Sequence, residues 1–276
     1  TVQPPFDDVR IRKAISLAID RQLLVDVAMF RYTRPADATG LTDAYAAWRD
    51  SSAVSRGDWV DFDPRRAEMV LDEAGLRRGQ DGIRRGVDGK PLRYDVICVK
   101  GWSDWERAVE VIASNLNAVG IEAGVLKLEF EEWFRRLSEG TYDLSIGWSL
   151  EGASPYHFYR GLMSSQTVQP VGSVAASNWH RFASPLADSL LARFETISDP
   201  AVQHRIVQQL QNVFVDDAPA IPLFPGPSWA AYNTRRISGF PSPENPYADP
   251  SPNKFARGEV LLVLTKLRPT EPSGQR

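Results

Sequence analysis

The stretch 142–165 is predicted to begin as a strand and to end as an open loop that brings aromatic rings and a carboxylate close together in the chain. Trp148 is followed at the third position by Glu151, and Tyr156 and Tyr159 belong to an uninterrupted run of four rings. Flat apolar ring faces with a few polar tips suit a pocket for a small polymer, such as a peptide or a sugar. A carboxylate beside such rings can accept an ammonium group or sugar hydroxyls through charge-assisted hydrogen bonds. The alternative is that the rings close one end of the hydrophobic core.

Alternating strands and helices are predicted to position this stretch and a second aromatic loop, 100–105, which contains Trp102 and Trp105. One of these tryptophans is expected to reach a ligand, and the other to cover the start of the next helix. This alternation is typical of an α/β domain, in which ligands lie beyond the carboxyl ends of the strands. The periodicity of apolar residues predicts strands over 92–99, 121–128 and from 142, with helices over 103–119 and 130–139.

Capping and turn signals divide the rest of the chain. Asp20 is expected to start a second helix within the helical stretch 7–30, and Asp63 before Pro64 marks another helix start. The run 259–267 is nearly all apolar, so we expect it to be a strand that inserts into a sheet elsewhere. The remaining predicted elements are a hairpin over 80–99, helices over 185–196 and 200–215, and strands over 220–224 and 228–232.

Bulk composition argues against several classes of function. The 276 residues carry a formal net charge of −3, so the basic excess that nucleic-acid binding usually needs is missing. The single cysteine, Cys98, lies in an apolar run and is expected to be a core residue rather than a catalytic thiol. The histidines show no metal-ligand spacing, and we expect neither a metal nor a cofactor. No apolar run long enough for a transmembrane helix is present.

Six short motifs, in order over most of the chain, resemble those of one family. Examples are Asp63-Pro64 at a helix start and Gly147-Trp148 at the end of a strand that begins at Tyr142. The family comprises the large (family 5) extracellular solute-binding proteins of ABC importers, which carry oligopeptides, dipeptides, nickel chelates and certain oligosaccharides. The matching segments are 5–21, 62–75, 116–121, 142–148, 178–190 and 217–223.

The resemblance implies an α/β fold like that of the class II, or cluster C, periplasmic binding proteins, with a mixed sheet flanked by helices. It implies that 1–6 is a hinge or crossover segment and that 7–232 forms the second ligand-binding lobe. Residues 233–276 would return, through a C-terminal strand, to a first lobe that precedes this sequence. The resemblance also implies a periplasmic location or an outer-face lipid anchor, with the targeting signal in that preceding half.

The resemblance implies capture without chemistry: two lobes close over an oligopeptide and deliver it to a membrane permease. In peptide-binding members an aspartate pairs with the ligand's α-ammonium at the position of Glu151. The following residues, 152–159, depart from the peptide type and look more like members that bind β-linked oligosaccharides. On that alternative, Trp148, Tyr156 and Trp102 are sugar platforms. Asn178 lies in a loop at a similar family position and is a further candidate contact.

Two readings from other classes remain open. A sensor or regulatory module would need the same pocket but a different exposed face. A glycoside hydrolase would need two carboxylates at a working separation, and no acid near Glu151 is fixed at such a distance by the sequence. We therefore expect a binding protein rather than an enzyme, monomeric when whole, with a peptide or oligosaccharide and a permease as its partners.

Overall fold

Capping aspartates start several helices of this protein, as its computed structural model shows; the structure describes residues 3–227, 230–242, 244–249, 251 and 258–270. The Asp8 carboxylate accepts a hydrogen bond from the Arg10 amide at 2.8 Å. The Asp20 carboxylate accepts one from the Leu23 amide at 2.9 Å. Each acid satisfies an amide that has no partner within the helix, so the predicted helix starts are confirmed.

The predicted elements of the first 217 residues are largely present, and short helices lie in the segment 31–62, for which the sequence predicts no regular element. The α-helices are α1 Val9–Ala18, α2 Arg21–Val27, α3 Ser51–Arg56, α4 Pro64–Glu73, α5 Ser103–Ala118, α6 Phe130–Glu139, α7 Tyr156–Met163, α8 Pro185–Thr196 and α9 Pro200–Asp217, and the strands are β1 Arg93–Val99, β2 Glu122–Leu128 and β3 Leu144–Ser145. Short 3₁₀ helices lie at Asp43–Trp48, Asp58–Val60 and Ser165–Thr167.

A parallel sheet with the strand order β2-β1-β3 forms the centre of the α/β layer. Val96 of β1 lies opposite Val125 of β2 on one side and Leu144 of β3 on the other. The α/β prediction is confirmed, but this sheet is parallel rather than mixed. The hairpin predicted over 80–99 is reduced to isolated antiparallel bridges, Arg78 with Arg84 and Arg85 with Pro91.

Two large hydrophobic cores hold the elements together. The first lies around α1, α4 and α5 and one face of the sheet, and includes Leu71, Cys98 and Leu116. Cys98 is completely buried, as expected of a core residue. The second lies among α7, α8 and α9, and includes Tyr159 and Phe214.

The segment 220–224 is not a strand, which corrects the sequence prediction. Prolines at 219, 222 and 225 cannot donate ladder hydrogen bonds. Instead, carbonyls of the segment accept hydrogen bonds from buried residues in the first part of the chain. Arg21 Nε donates to the Pro222 carbonyl at 2.7 Å, and the Ala36 amide donates to the Leu223 carbonyl at 3.1 Å. The neighbouring Ala218 carbonyl accepts from Arg12 Nε at 2.9 Å.

The chain divides between Pro225 and Gly226 into two compact units. The described part of the second unit contains a two-residue antiparallel ladder between β4 Ile237–Ser238 and β5 Arg268–Pro269, and the helix α10 Glu259–Lys266. The strand expected at 259–267 is therefore wrong for this structure. A short, nearly continuous apolar run does not distinguish a buried strand from a helix by periodicity.

The predicted domain boundaries, 1–6, 7–232 and 233–276, stay predictions. In the expected hinge, residues 3–6 form a turn, while residues 1 and 2 lie outside the described part. The strand predicted at 228–232 also falls partly outside it, and residues 230–232 have no strand structure. Among the described residues, no helix combines the length and apolarity needed to span a bilayer.

Candidate ligand-binding site

An aromatic residue follows the carboxyl end of every strand of the parallel sheet. Trp102 comes shortly after β1, Phe130 after β2 and Trp148 after β3. Because parallel strands end at the same edge of a sheet, these rings gather there. They belong to a cluster of seven rings, here called the aromatic platform: Trp102, Trp105, Phe130, Trp133, Phe134, Trp148 and Trp179.

A tight turn places Trp102 at the platform. Gly101 has φ +85°, a left-handed conformation that glycine adopts without strain. Its amide donates to a Glu106 carboxylate oxygen at 2.7 Å, and the neighbouring Lys100 amide donates to the Leu128 carbonyl at 2.7 Å. The chain therefore leaves β1 and enters α5 directly at Trp102.

Helix α6 supplies the base of the platform. Phe130, Trp133 and Phe134 lie on one face because residues three and four apart are neighbours on a helix. Trp133 is fully buried, and its indole N–H donates to Ser145 Oγ at 3.1 Å. This bond joins α6 to β3 beneath the exposed rings.

Trp148 lies at the centre of the platform. Its ring centroid is 5.1 Å from that of Trp133, 6.0 Å from Trp105 and 6.3 Å from Trp102. The Phe134 ring lies 6.4 Å away with planes only 10° apart, whereas the Trp179 ring stands at 89° at 5.8 Å. Four of the rings, those of Trp102, Phe130, Phe134 and Trp148, are 38–41% exposed. A contiguous exposed apolar surface of this kind makes the platform a candidate ligand or partner site.

A cavity of about 380 Å³ adjoins the platform beneath Trp148 and Trp179. Apolar side chains such as Ile15, Leu144 and Phe224 line most of it. His180 is the titratable imidazole on its wall, and burial lowers the pKa of that group to about 3. The imidazole is therefore neutral at neutral pH.

The structure brings Trp148 and Trp102 together, but places Tyr156 and Tyr159 elsewhere. These two tyrosines lie on a helix, α7, rather than in the open loop expected from the sequence. Tyr159 is fully buried and donates to the Thr39 carbonyl at 3.0 Å. Tyr156 is also buried and stacks on Phe194 at 4.7 Å. Both rings pack in the second hydrophobic core, which fits the alternative that the rings close one end of the core.

Glu151 is exposed in the loop 149–155, between two anchored neighbours. Leu150 packs so closely on Gly161 of α7 that a Cβ there would lie 2.8 Å from it. On the other side, the Tyr45 hydroxyl donates to the Gly152 carbonyl at 2.8 Å and accepts from its amide at 3.0 Å. The Leu150 side chain and the Gly152 backbone, on either side of Glu151, are thus in contact with α7 and with Tyr45.

Asn178 is buried rather than exposed to a ligand. Its side-chain amide donates to the Ser164 carbonyl at 2.9 Å and to the Phe182 carbonyl at 2.7 Å, and its oxygen accepts from the Phe182 amide at 2.9 Å. These hydrogen bonds tie together the chain on both sides of Trp179.

Sequence reasoning missed Phe130, Trp133 and Phe134 as site residues. The sequence contained one indication of their role. Their rings recur at helical spacing on the helix predicted over 130–139, and this helix begins where a predicted strand ends, at the edge of the sheet where ligands lie. From the sequence alone these rings were assigned no role, because periodicity alone does not distinguish a core face from a ligand face.

The chain belongs to the bacterial extracellular solute-binding proteins, family 5, whose middle-region model matches residues 1–170. The periplasmic oligopeptide-binding protein OppA of Escherichia coli K12 is 23% identical over 229 residues, covering 80% of this chain and 37% of OppA. Di/tripeptide-binding protein 2 of Pseudomonas aeruginosa is 24% identical over 225 residues, covering 81% of this chain and 38% of that protein.

Solved structures of the same fold cover almost the whole chain. The mannohexaose-bound periplasmic oligopeptide-binding protein of Thermotoga maritima superimposes with a TM-score of 0.87 at 24% identity, over 98% of this chain and 51% of that one. Bacillus subtilis AppA in complex with a nonapeptide gives 0.73 at 18% identity, over 98% and 49%. The fold is therefore that of the periplasmic binding proteins, and the chain spans about half the length of these structures.

Proposed function

We propose that the whole protein is the substrate-binding component of an ABC importer, which captures an oligopeptide between two lobes and delivers it to a membrane permease. The observation that carries this proposal is the aromatic platform at the carboxyl edge of the parallel sheet, in a chain that belongs to a solute-binding family. The described half supplies one wall of a cleft, and closure of a second lobe would remove the ligand from water.

Peptide recognition would combine apolar contact with one charged group. Trp148 and Trp102 offer flat surface for ligand side chains, and Glu151 offers a carboxylate for the ligand's α-ammonium. A charge-assisted hydrogen bond of this kind is roughly twice as strong as a neutral one. The anchors at Leu150 and Gly152 fix where the Glu151 backbone lies, which reduces the entropy lost on binding.

A β-linked oligosaccharide is the second candidate ligand. The rings of Phe130, Phe134 and Trp148 form a nearly parallel series, with 8° between the first two planes and 10° between the last two. A series of parallel exposed rings suits successive flat sugar faces. The structural relative from Thermotoga maritima was solved with mannohexaose bound. On this alternative, Glu151 accepts sugar hydroxyls instead of an ammonium group.

The relatives with these folds are binding proteins, and we propose that this protein likewise binds without turnover. A periplasmic location, or the outer face of the cytoplasmic membrane, follows for the whole protein from the same family role. The whole protein is expected to act as a monomer with a permease as its partner. A ligand-sensing module would use the same platform, and coupling to a partner other than a permease would distinguish it.

The proposal is tested by titrating the whole protein, with both lobes present, with trialanine, N-acetyl-trialanine and mannohexaose while following tryptophan fluorescence and the midpoint of thermal unfolding. At a ligand concentration about 100 times Kd, one site adds about 2.7 kcal/mol of stability. Stabilisation by trialanine that is lost on N-acetylation supports the peptide assignment and the role of Glu151. Stabilisation by mannohexaose alone supports the sugar assignment.

Matched tryptophan variants locate the binding event. Trp148→Ala should raise Kd by about fivefold or more, because its ring is at the centre of the platform. Trp59→Phe is the control and should leave Kd unchanged, since Trp59 is buried in a separate cluster and its indole N–H donates to the Val215 carbonyl at 2.9 Å. An unchanged Kd in Trp148→Ala, or no response to any of the three ligands, would contradict the proposal.

A further inference from the structure

The residues directly before and after the Trp179–His180 pair adopt an unusual backbone conformation. Asn178 has φ +51° and Arg181 has φ +58°, in the left-handed region that side-chain-bearing residues rarely adopt. Such conformations persist only where the surrounding contacts enforce them, and they concentrate at functional sites. The contacts that enforce this turn are therefore informative.

Asn178 connects the turn to the end of α7. Its backbone amide donates to the Gly161 carbonyl at 2.7 Å. Its side chain bonds the Ser164 carbonyl, at the C-terminal cap of α7, and both backbone groups of Phe182. All hydrogen-bonding atoms of the side chain are engaged on protein backbone, so Asn178 acts as a cross-brace.

Arg181 connects the same turn to the end of α6. It is only 4% exposed, and its guanidinium donates to carbonyls of four residues: Ser138 at 3.1 Å, Gln169 at 3.0 Å, Ser173 at 3.1 Å and Trp179. A Cβ at Gly140 would lie 2.3 Å from this guanidinium. The sequence therefore leaves space at Gly140 for the arginine to reach the carbonyls at the helix end.

The result of both braces is the placement of Trp179. Its ring stands at 89° to Trp148 and at 83° to Phe134, with centroids 5.8 and 6.0 Å away. Its indole N–H is already engaged by the Ala175 carbonyl at 3.1 Å. The ring thus forms an upright wall at one end of the exposed floor that Phe134 and Trp148 provide.

We propose that Asn178 and Arg181 are positioning residues that hold Trp179 upright against Trp148, so that Trp179 limits which flat ligands the platform accepts. The ligand-selecting half of this inference rests on the proposed binding function. The positioning half does not, because it concerns the arrangement of rings in the protein alone.

The positioning half is tested by near-ultraviolet circular dichroism, which responds to the asymmetric packing of tryptophan rings. Trp179→Phe supplies the reference spectrum for loss of the Trp148–Trp179 pair. Arg181→Lys keeps the charge but cannot hold four carbonyls with a planar fork. Asn178→Gly keeps the left-handed backbone accessible but removes the side-chain bonds. Both variants are expected to lose most of the signal that Trp179→Phe removes, with far-ultraviolet spectra unchanged.

Arg84→Lys is the matched control for Arg181→Lys. Arg84 is 1% exposed, and its guanidinium donates to the Val119 and Leu76 carbonyls at 2.7 Å each. Val119 follows the C-terminal end of α5, whereas Trp105 lies near the N-terminal end. At a rise of 1.5 Å per residue, the two positions are about 20 Å apart along the helix. Arg84→Lys should therefore leave the tryptophan signal unchanged while lowering the free energy of unfolding by an amount comparable to that of Arg181→Lys.

If both Arg181→Lys and Asn178→Gly keep the wild-type tryptophan signal, the positioning role is wrong. If Arg181→Lys does not fold, Asn178→Gly decides alone.

The selecting half is tested by the ratio of dissociation constants for mannohexaose and trialanine. Trp179→Ala and Asn178→Gly should change this ratio in the same direction, by about fivefold or more, the loss of roughly one ring contact. An unchanged ratio in Trp179→Ala would overturn the selecting role and leave the positioning result standing. Absence of binding by wild-type protein would instead overturn the proposed function, which the spectra do not depend on.

Discussion

Replacing Trp133 by alanine should destabilise the first unit far more than replacing its neighbour Phe134, although both rings belong to the platform. Trp133 has no exposed surface and packs against five other rings, and its indole N–H bonds Ser145. Removing a fully buried aromatic side chain costs about 3–5 kcal/mol through lost burial and the cavity left behind. Phe134 keeps 38% of its surface exposed, so its loss should cost about 2 kcal/mol.

The measurement is urea unfolding followed by far-ultraviolet circular dichroism, supported by thermal unfolding. For a unit of this size, 1 kcal/mol corresponds to about 2–4 °C in Tm, so Trp133→Ala should lower Tm by about 6–20 °C. Phe134→Ala is the matched control, because it lies next to Trp133 on the same helix. Equal losses for the two variants would refute the assignment of Trp133 as the buried base and Phe134 as part of the exposed surface.

Three further predictions concern the surroundings of the platform. The folded-state pKa of His180 is about 3, below its unfolded value of about 6.5, so the unfolded state binds the extra proton as the pH falls. Between pH 7.5 and 5.5 the free energy of unfolding should therefore fall by about 1.4 kcal/mol more in wild type than in His180→Gln. Equal pH profiles of the two proteins would contradict this. Gly140→Ala should cost about 2 kcal/mol or more, because φ is +74° and the new Cβ meets a buried guanidinium. Gly89→Ala, with φ +79° and nothing within 4 Å, should cost only about 1 kcal/mol in the same urea titration, and equal losses would exclude the steric effect. Tyr45→Phe removes both hydrogen bonds to Gly152, so it should lower the free energy of unfolding by about 1–2 kcal/mol and speed proteolysis of the loop 149–155. An unchanged cleavage rate would show that the loop is held by other contacts.

Elements with strong local signals were predictable from the sequence. The helix at Asp63-Pro64 begins where a capping carboxylate and a proline at the first helical position indicate, and the Asp63 carboxylate accepts from the Arg66 amide at 2.9 Å. The alternation of strand and helix from 92 to 145 predicted an α/β layer with its candidate site at the carboxyl edge. Trp102 and Trp148 were found as candidates because both follow strands.

Other assignments failed because they depended on contacts between distant residues. The run 156–159 was expected to be a loop, although it is helical and its Tyr156, Phe158 and Tyr159 rings are buried in the core with α8 and α9. The apolar run at 259–267 was expected to be a strand, but a run of this length and composition fits either state. The segment 220–224 was expected to be a strand, yet Arg21 and Ala36 use its carbonyls instead.

The sequence by itself determined the order of most helices and strands, the family, and three of the rings at the platform, those of Trp102, Trp105 and Trp148. These follow from capping, turn chemistry and periodicity, which act over a few residues. Only the tertiary structure decided that Phe130, Trp133 and Phe134 complete the platform, that Tyr156 and Tyr159 are core residues, and that Asn178 braces a turn. The physical reason is that burial, ring orientation and hydrogen-bond partners are set by residues far apart in the chain, such as Tyr159 with Thr39 and Arg181 with Ser138.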